Sequence, residues 1–497
     1  MQVRRGPWLF VGIILAWLAG SPSAQAEDKL RVGVAEADIT PPKGFPVAGY
    51  YHERLATGTT DPLKARALVI RGEKAQAAVV TCDLTGISMD LTAEVRRRAS
   101  TRTRIPAENI ILTATHSHTA PDYTKDLYDF LGSDNGKAEG EQPYAAKLLA
   151  GIVDAIANAD KAAEPVLLEA GTVRQETPVS FNRRFLMRDG SVQTWMSLDN
   201  PNVLHAAGPI DPEMDLLLVR SESGKPRGLF SNFALHLDTV GGTLWSADYP
   251  YYMEEAARKA LDPNLVFFVG NGCCGDINHV DPSKKERNKT DYIGKSLAKT
   301  MQSAVPNLRR LEQPTLRIRR ATVPVPLQKV TSDQVAQARS LLADAKGGRK
   351  AEFFDLVRAY KAIVLDHLRN KTPNTKSSDV INWGLSRTWA GVGERLPVEV
   401  HAIGLGSDVG IVFLPGEIFV ELGLAIKQAS PFKTTLVVEL ANSVETMYVP
   451  TRVAAVGGGY EAVNSALEPG SGEMLAEAAV RLLRDIAGEG SPVKKEK

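Results

Sequence analysis

The feature that most constrains this chain is a regular alternation of short, β-branched apolar runs with stretches of helical spacing. The strand-like runs fall at 67–70, 78–81, 110–112, 216–219, 265–269, 410–413 and 435–438, and the helical stretches at 91–99, 144–157, 251–260, 292–303 and 417–428. Such alternation predicts an α/β fold with a mixed sheet, because helices placed between strands pack on the sheet faces. One region breaks the rhythm. Residues 332–369 are charged, carry apolar side chains at helical spacing (Val335, Ala338, Leu341, Leu342) and are interrupted at Gly347-Gly348. They read as a helical insertion, about 331–380, between two β-containing parts, with a polar loop over 370–378. A turn-rich tract ending Glu468-Pro469-Gly470-Ser471-Gly472 precedes a closing helix at 474–486, and 491–497 read as a charged tail.

The first residues point to a compartment. Arg4-Arg5 precede an apolar stretch from Trp8 to Leu18, followed by small residues ending Ala24-Gln25-Ala26. A basic region, an apolar core and an Ala-x-Ala site make a secretory signal peptide over residues 1–26. The expected location is therefore secreted or periplasmic. That apolar run is short for a membrane span, and no later segment is long and apolar enough to be one. An uncleaved anchor is the competing reading.

Removing 26 residues from 497 leaves about 470, enough for one large domain with a subdomain or for two domains. Lys and Arg (59) nearly cancel Asp and Glu (58), and there is no long basic run, so a nucleic-acid partner is not expected. Three cysteines, Cys82, Cys273 and Cys274, give no disulfide framework. The adjacent pair reads as buried thiols.

Candidate chemistry begins at Thr113-Ala114-Thr115-His116-Ser117-His118-Thr119-Ala120-Pro121. The apolar run before it reads as a buried strand, and in a strand His116 and His118 point to one side. At a strand end before a Pro-containing loop, they are placed to meet a cavity. Neutral imidazole is the commonest protein ligand for zinc, and a paired His serves as acid or base. The structural alternative is a polar strand end whose rings are satisfied by backbone.

Other landmarks follow in order. They are Gly33-Val34-Ala35-Glu36-Ala37-Asp38-Ile39-Thr40-Pro41-Pro42 with Gly49-Tyr50, Asp61-Pro62-Leu63-Lys64-Ala65-Arg66-Ala67, Phe181-Asn182-Arg183 and Asn232-Phe233-Ala234-Leu235-His236. Leu414-Pro415-Gly416-Glu417 and Tyr448-Val449-Pro450-Thr451, then Tyr460-Glu461, complete the set. Together with the His pair, this ordered set resembles the neutral (alkaline, non-lysosomal) ceramidases, specifically their N-terminal catalytic domain. The resemblance implies a large mixed-sheet catalytic domain over 27–490 carrying the helical insertion, without the C-terminal β-sandwich of full-length ceramidases.

The resemblance also implies a Zn²⁺ site. His116 and His236 match the two His ligands, Glu417 the carboxylate ligand at the start of a helix, and Tyr448 the Tyr ligand. Glu445 stands where the family usually shows a second Tyr, and rivals Tyr448. Two imidazoles and a carboxylate leave open coordination for water, whose pKa such a metal lowers to about 7. His118, Arg183 and Tyr460 take the catalytic positions. His118 lies beside the metal water and the scissile amide, Arg183 faces the substrate carbonyl, and the Tyr460 hydroxyl donates to the developing oxyanion.

The substrate loop departs from the family. Ceramidases carry Gly-Asn/Asp-x-Ser-Pro; here Asn278 takes the Ser position and His279 the Pro position in Gly275-Asp276-Ile277-Asn278-His279. Asn278 is the candidate substrate-binding residue, and its amide cannot act as a Ser nucleophile. The expected function is a secreted zinc-dependent hydrolase that cleaves an amide (N-acyl) bond by zinc-activated water. Its partner is a small-molecule or lipid amide, with long-chain ceramide expected to be a poor substrate. A zinc esterase or lactonase on the same site, and an inactive ceramidase-like binding protein, remain the alternatives. No sequence feature fixes an oligomeric state.

Overall fold

Apart from two isolated positions near the N-terminus, the computed structural model describes residues 30–132, 143–370 and 384–488. The signal-peptide reading, the loop over 371–378 and the charged tail fall outside the described residues.

Strands β1 (Arg31–Asp38), β2 (Lys64–Arg71) and β3 (Gln76–Cys82) run antiparallel in succession. Helix α1 (Met89–Thr103) then crosses over so that β4 (Ile110–Ala114) lies parallel to β3. A parallel neighbour requires such a crossover. The Ser88 side chain caps α1 by accepting from the Leu91 N–H, and Arg104 ends it in a left-handed turn at φ 65°. Helix α2 (Tyr144–Lys161) leads to β5 (Glu164–Arg174), and β6 (Glu213–Ser221) and β7 (Pro226–Phe233) continue antiparallel. A second crossover, α3 (Tyr249–Ala260), brings β8 (Val266–Asn271) parallel to β7, and α4 (Thr290–Ala304) packs beside α3. The sheet order is β8-β7-β6-β5-β1-β2-β3-β4.

The second half builds another sheet. β9 (Leu316–Pro326) is followed by the helical insertion, α5 (Ser332–Lys346) and α6 (Phe353–Asn370), which pack on each other. Thr331 and Gln334 form a capping box at the start of α5. β10 (Arg395–Leu405) and β11 (Val409–Phe413) return antiparallel, and α7 (Val420–Ala429) crosses to β12 (Thr434–Val438), parallel to β11. The closing helix α8 (Ser471–Gly488) packs on β9 and β10.

The two sheets share a core, and each carries helices on its outer face. Along β2, Leu68 and Ile70 point to the second sheet, whereas Ala65, Ala67 and Val69 point to α1 and α2. Likewise on β6, Leu217 and Val219 face the second sheet, and Met214, Leu216 and Leu218 face α3 and α4. Ile403, Ile411, Phe413 and Leu436 answer from the other side. The result is a four-layer α–β–β–α stack of mixed sheets. Central strands buried on both faces read as unbroken apolar runs, and this is why they stand out in the sequence. The three cysteines are free and buried, as expected for Cys273-Cys274. No helix among the described residues is long and apolar enough to cross a membrane.

Candidate metal centre

Four loops leave the carboxyl ends of β4, β7, β11 and β12 and converge, carrying His116, His236, Glu417 and Tyr448 respectively. Crevices outside strand carboxyl ends are the usual place for a site in sheets of this kind. The route by which the His pair arrives differs from the strand alternation expected. β4 stops at Ala114, and His116 takes a left-handed φ of 74°. That turn is strained for a residue with a Cβ, and the surroundings enforce it. The His116 N–H donates to Leu84 O at 2.9 Å, and the His118 N–H to Leu237 O at 3.0 Å. The second of these ties the His pair to the loop bearing His236.

Glu417 also arrives differently. The apolar pattern over 417–428 suggested a helix from Glu417, but the helix begins at Val420. Glu417–Ile418 is a two-residue strand parallel to Tyr448–Val449. Gly416 makes the turn at φ +74°, where a Cβ would lie 2.0 Å from Thr446 Oγ1. Asp276 Oδ1 accepts from the Val420 N–H at 2.9 Å, and so draws the Gly275-Asp276 loop against the start of α7.

The donors lie at metal-ligand spacing. His116 Nε2 is 3.0 Å from His236 Nε2 and 3.4 Å from His118 Nε2. Glu417 Oε2 is 3.3 Å from His116 Nε2 and 4.0 Å from His236 Nε2. Ligands held at 2.0–2.1 Å in a tetrahedron stand about 3.3 Å apart. The tautomers agree. His116 Nδ1 lies 2.6 Å from Thr85 O, and a carbonyl only accepts, so Nδ1 carries the proton. The Cys274 backbone engages His236 in the sense that favours its protonated form, as a carbonyl acceptor does. The two Nε2 atoms thus face each other at ligand-to-ligand distance. Glu417 Oε2 is buried, and the His116 ring is 3.3 Å from it.

Electrostatics favour the same donor state. Burial, then His116 and Arg183, hold His236 well below the ordinary imidazole pKa. Burial lowers His118 to about 4 against the opposing pull of Asp238. Both rings are thus neutral at pH 7, the ligating form. Burial pushes the Glu417 carboxyl up, but His116, Arg183 and Tyr448 outweigh it and keep it ionised below the usual range. These residues fit a divalent cation.

Tyr448 stands beside Glu417 and hydrogen-bonds to its carboxylate. Arg183 Nη2 donates to Tyr448 Oη at 3.0 Å and to Gly275 O at 2.8 Å, while its Nε donates to Glu461 Oε1 at 2.7 Å. Arg183 is therefore anchored behind Tyr448. The Tyr460 ring packs edge-on against Tyr448, with centroids 5.5 Å apart, and its hydroxyl accepts from Asn464 Nδ2 at 3.2 Å. His116, His118, Glu417, Tyr448 and Tyr460 line one cavity of about 550 Å³. Asn278 does not belong to that lining; it is buried, and its Oδ1 accepts from the Val280 N–H at 3.1 Å.

Glu445, the rival ligand, points elsewhere. Its Oε1 accepts from the Met89 N–H at 2.8 Å at the start of α1, and its Oε2 has no hydrogen-bond partner among the described residues. Burial, reinforced by Asp90, pushes its pKa up to about 8. A carboxyl raised above its unfolded value of about 4.3 stabilises the fold fully at low pH and loses that contribution as pH climbs toward 8. Glu445→Gln keeps the acceptor without the charge. Its stability should match wild type near pH 4 and exceed it increasingly up to pH 8, by at most about 1.4 kcal/mol per pH unit. Urea unfolding at a series of pH values checks this, and a constant difference across the series would contradict it.

Three neighbours were not singled out as site residues by the sequence. Asp238 and Tyr51 lacked any motif, and Tyr50 was noticed only as part of a landmark. The cue for Asp238 was its place two residues after His236. Tyr51 Oη lies 3.4 Å from Tyr460 Oη.

Residues 30–248 match the family described as neutral/alkaline non-lysosomal ceramidase, N-terminal. Among solved structures, the chain is similar to a ceramidase complexed with C2, at 18% identity and a TM-score of 0.66, over 94% of this chain and 77% of that one. It is also similar to the neutral ceramidase from Pseudomonas aeruginosa, at 20% identity and a TM-score of 0.65, over 94% of this chain and 76% of that one. No curated protein matches it. Residues 30–248 thus match the N-terminal region of the neutral/alkaline non-lysosomal ceramidase family, and over 94% of its length the chain is similar in fold to two solved ceramidases.

Proposed function

We propose that this chain is a secreted zinc-dependent hydrolase of amide (N-acyl) bonds, with 27–490 acting as one catalytic domain. The observation that carries the reading is the buried meeting of His116, His236 and Glu417, with Glu417 Oε2 3.3 Å from His116 Nε2, where His116 and Glu417 line a substrate-sized cavity. His116, His236, Glu417 and Tyr448 would hold the ion. When bound, zinc supplies a water of pKa about 7 and polarises the scissile carbonyl.

The remaining work falls to the chain. His118, neutral at pH 7 and on the cavity wall, accepts a proton at Nε2 from the attacking water and returns it to the leaving amine. The Tyr460 hydroxyl donates to the oxygen that gains charge. Arg183 keeps the Tyr448 hydroxyl in place. A cavity of about 550 Å³ accommodates a drug-sized group. Asn278 and His279 alter the loop that in ceramidases meets the substrate hydroxyl, which favours an amide other than ceramide.

The test is metal analysis of purified protein together with a panel of ceramides, other N-acyl amines and esters. About one zinc per chain is expected, the stoichiometry of a single catalytic site. The best substrate should be a non-ceramide amide. Undiminished turnover after complete chelation would overturn the metal reading, a preference for esters the amide reading, and ceramide as best substrate the substrate reading.

A further inference from the structure

The ring of His118 has a neighbour that the reading above does not use. Its Nδ1 is buried and makes no hydrogen bond among the described residues. The Asp238 carboxylate faces it, with Oδ1 at 3.7 Å. Asp238 is itself held in place, since Tyr50 Oη donates to the same Oδ1 at 2.7 Å. The Tyr50 ring meets the His118 ring edge-on at 5.8 Å between centroids. Arg54 covers the Tyr50 ring at 4.1 Å and donates to the His118 carbonyl at 2.7 Å. Gly49 closes the cradle at φ +101°, where a Cβ would stand 2.8 Å from His118 Cβ. Backbone and ring of His118 are thus fixed on several sides, and the acceptor poised at Nδ1 is a carboxylate.

We propose that Asp238 is the positioning residue of His118: its carboxylate accepts the Nδ1–H, which places the lone pair on Nε2 and aims it into the cavity, while Tyr50 holds the carboxylate. The proposal rests on the hydrolytic reading of the site. The present 3.7 Å separation exceeds a hydrogen bond. Contacts of this kind commonly tighten only in the occupied enzyme. An unpartnered imidazole exchanges tautomers, and the form protonated on Nε2 cannot accept a proton there. A carboxylate on Nδ1 removes that form. The Asp238 side chain is about one-third exposed, so its replacement leaves the packed core untouched.

The experiment compares wild type, Asp238→Ala and Asp238→Asn as full-length, zinc-loaded protein. Three quantities are read: kcat and KM on the best amide of the panel, zinc per chain, and the His118 tautomer. Two-bond ¹H–¹⁵N spectra report the tautomer, with His118 assigned by its loss in His118→Gln. Asp238→Ala should lower kcat about 10- to 100-fold, the usual cost of removing such a partner, with KM and zinc content near wild type. Its His118 signal should shift from the Nδ1–H form to a mixture. Asp238→Asn still presents an acceptor oxygen and should retain the tautomer and recover most of kcat. A wild-type tautomer in Asp238→Ala overturns the proposal, whatever happens to kcat. The tautomer needs no substrate. If no panel member is hydrolysed but the tautomer still follows Asp238, the hydrolytic reading fails and the positioning contact stands.

Discussion

His236→Ala should lose both the bound metal and hydrolysis. The ring is buried, and its Nε2 lies 3.0 Å from His116 Nε2 and 4.0 Å from Glu417 Oε2. Its removal takes away one imidazole donor and leaves the others too few to close the site. Replacing residues that merely orient ligands costs about 10- to 100-fold in metal affinity or activity, so loss of a ligand should exceed about 100-fold. Stability supplies an independent readout. A metal bound only to the folded state stabilises it in proportion to the logarithm of its concentration over Kd. Chelation should therefore lower the Tm of wild type and leave that of His236→Ala unchanged. His116→Ala should behave alike. A full equivalent of zinc in the His116→Ala/His236→Ala double variant would refute the assignment.

The parts of this molecule that were legible in the sequence are those whose physics is local. Strands β2, β3, β4 and β6 are buried on both faces, so their apolar runs are uninterrupted whatever the topology. The helical insertion declares itself through spacing, with Val335, Ala338 and Leu342 on the buried side of α5. What stayed hidden depends on partners distant in the chain. Glu417 lies within an apolar pattern that continues into α7, and only its pairing with Tyr448 pulls it into a strand. The expected alternation of His116 and His118 gave way to a left-handed turn stabilised by Leu84 and Leu237. Arg183 could be matched to a substrate-facing position by motif, yet its side chain is committed to Glu461, Gly275 and Tyr448. The convergence of His116, His236, Glu417 and Tyr448 could be anticipated only through resemblance, which supplies long-range information that periodicity does not contain.

Arg183 offers the sharpest separation of folding from chemistry. Arg183→Ala should destabilise the protein by about 3–5 kcal/mol, the cost of leaving one member of a buried ion pair alone. Glu461 is fully buried, and Arg184 Nε at 3.5 Å from its Oε2 offsets part of the loss, which favours the lower end of that range. The same deletion takes the 3.0 Å donor from Tyr448 Oη, so activity per folded molecule should also fall. These effects are separable because they run through different atoms of the guanidinium, Nε toward Glu461 and Nη2 toward Tyr448 and Gly275. Neutralising the carboxylate as well, in Arg183→Met/Glu461→Gln, removes the stranded charge. Replacing a whole buried ion pair is often nearly neutral, so most of the lost stability should return. Hydrolysis should not return, because Met offers Tyr448 no donor. Urea unfolding and kcat/KM on the single and double variants form the cycle. If the double variant recovers activity along with stability, Arg183 serves only to neutralise Glu461, and the Tyr448 contact has no part in the reaction.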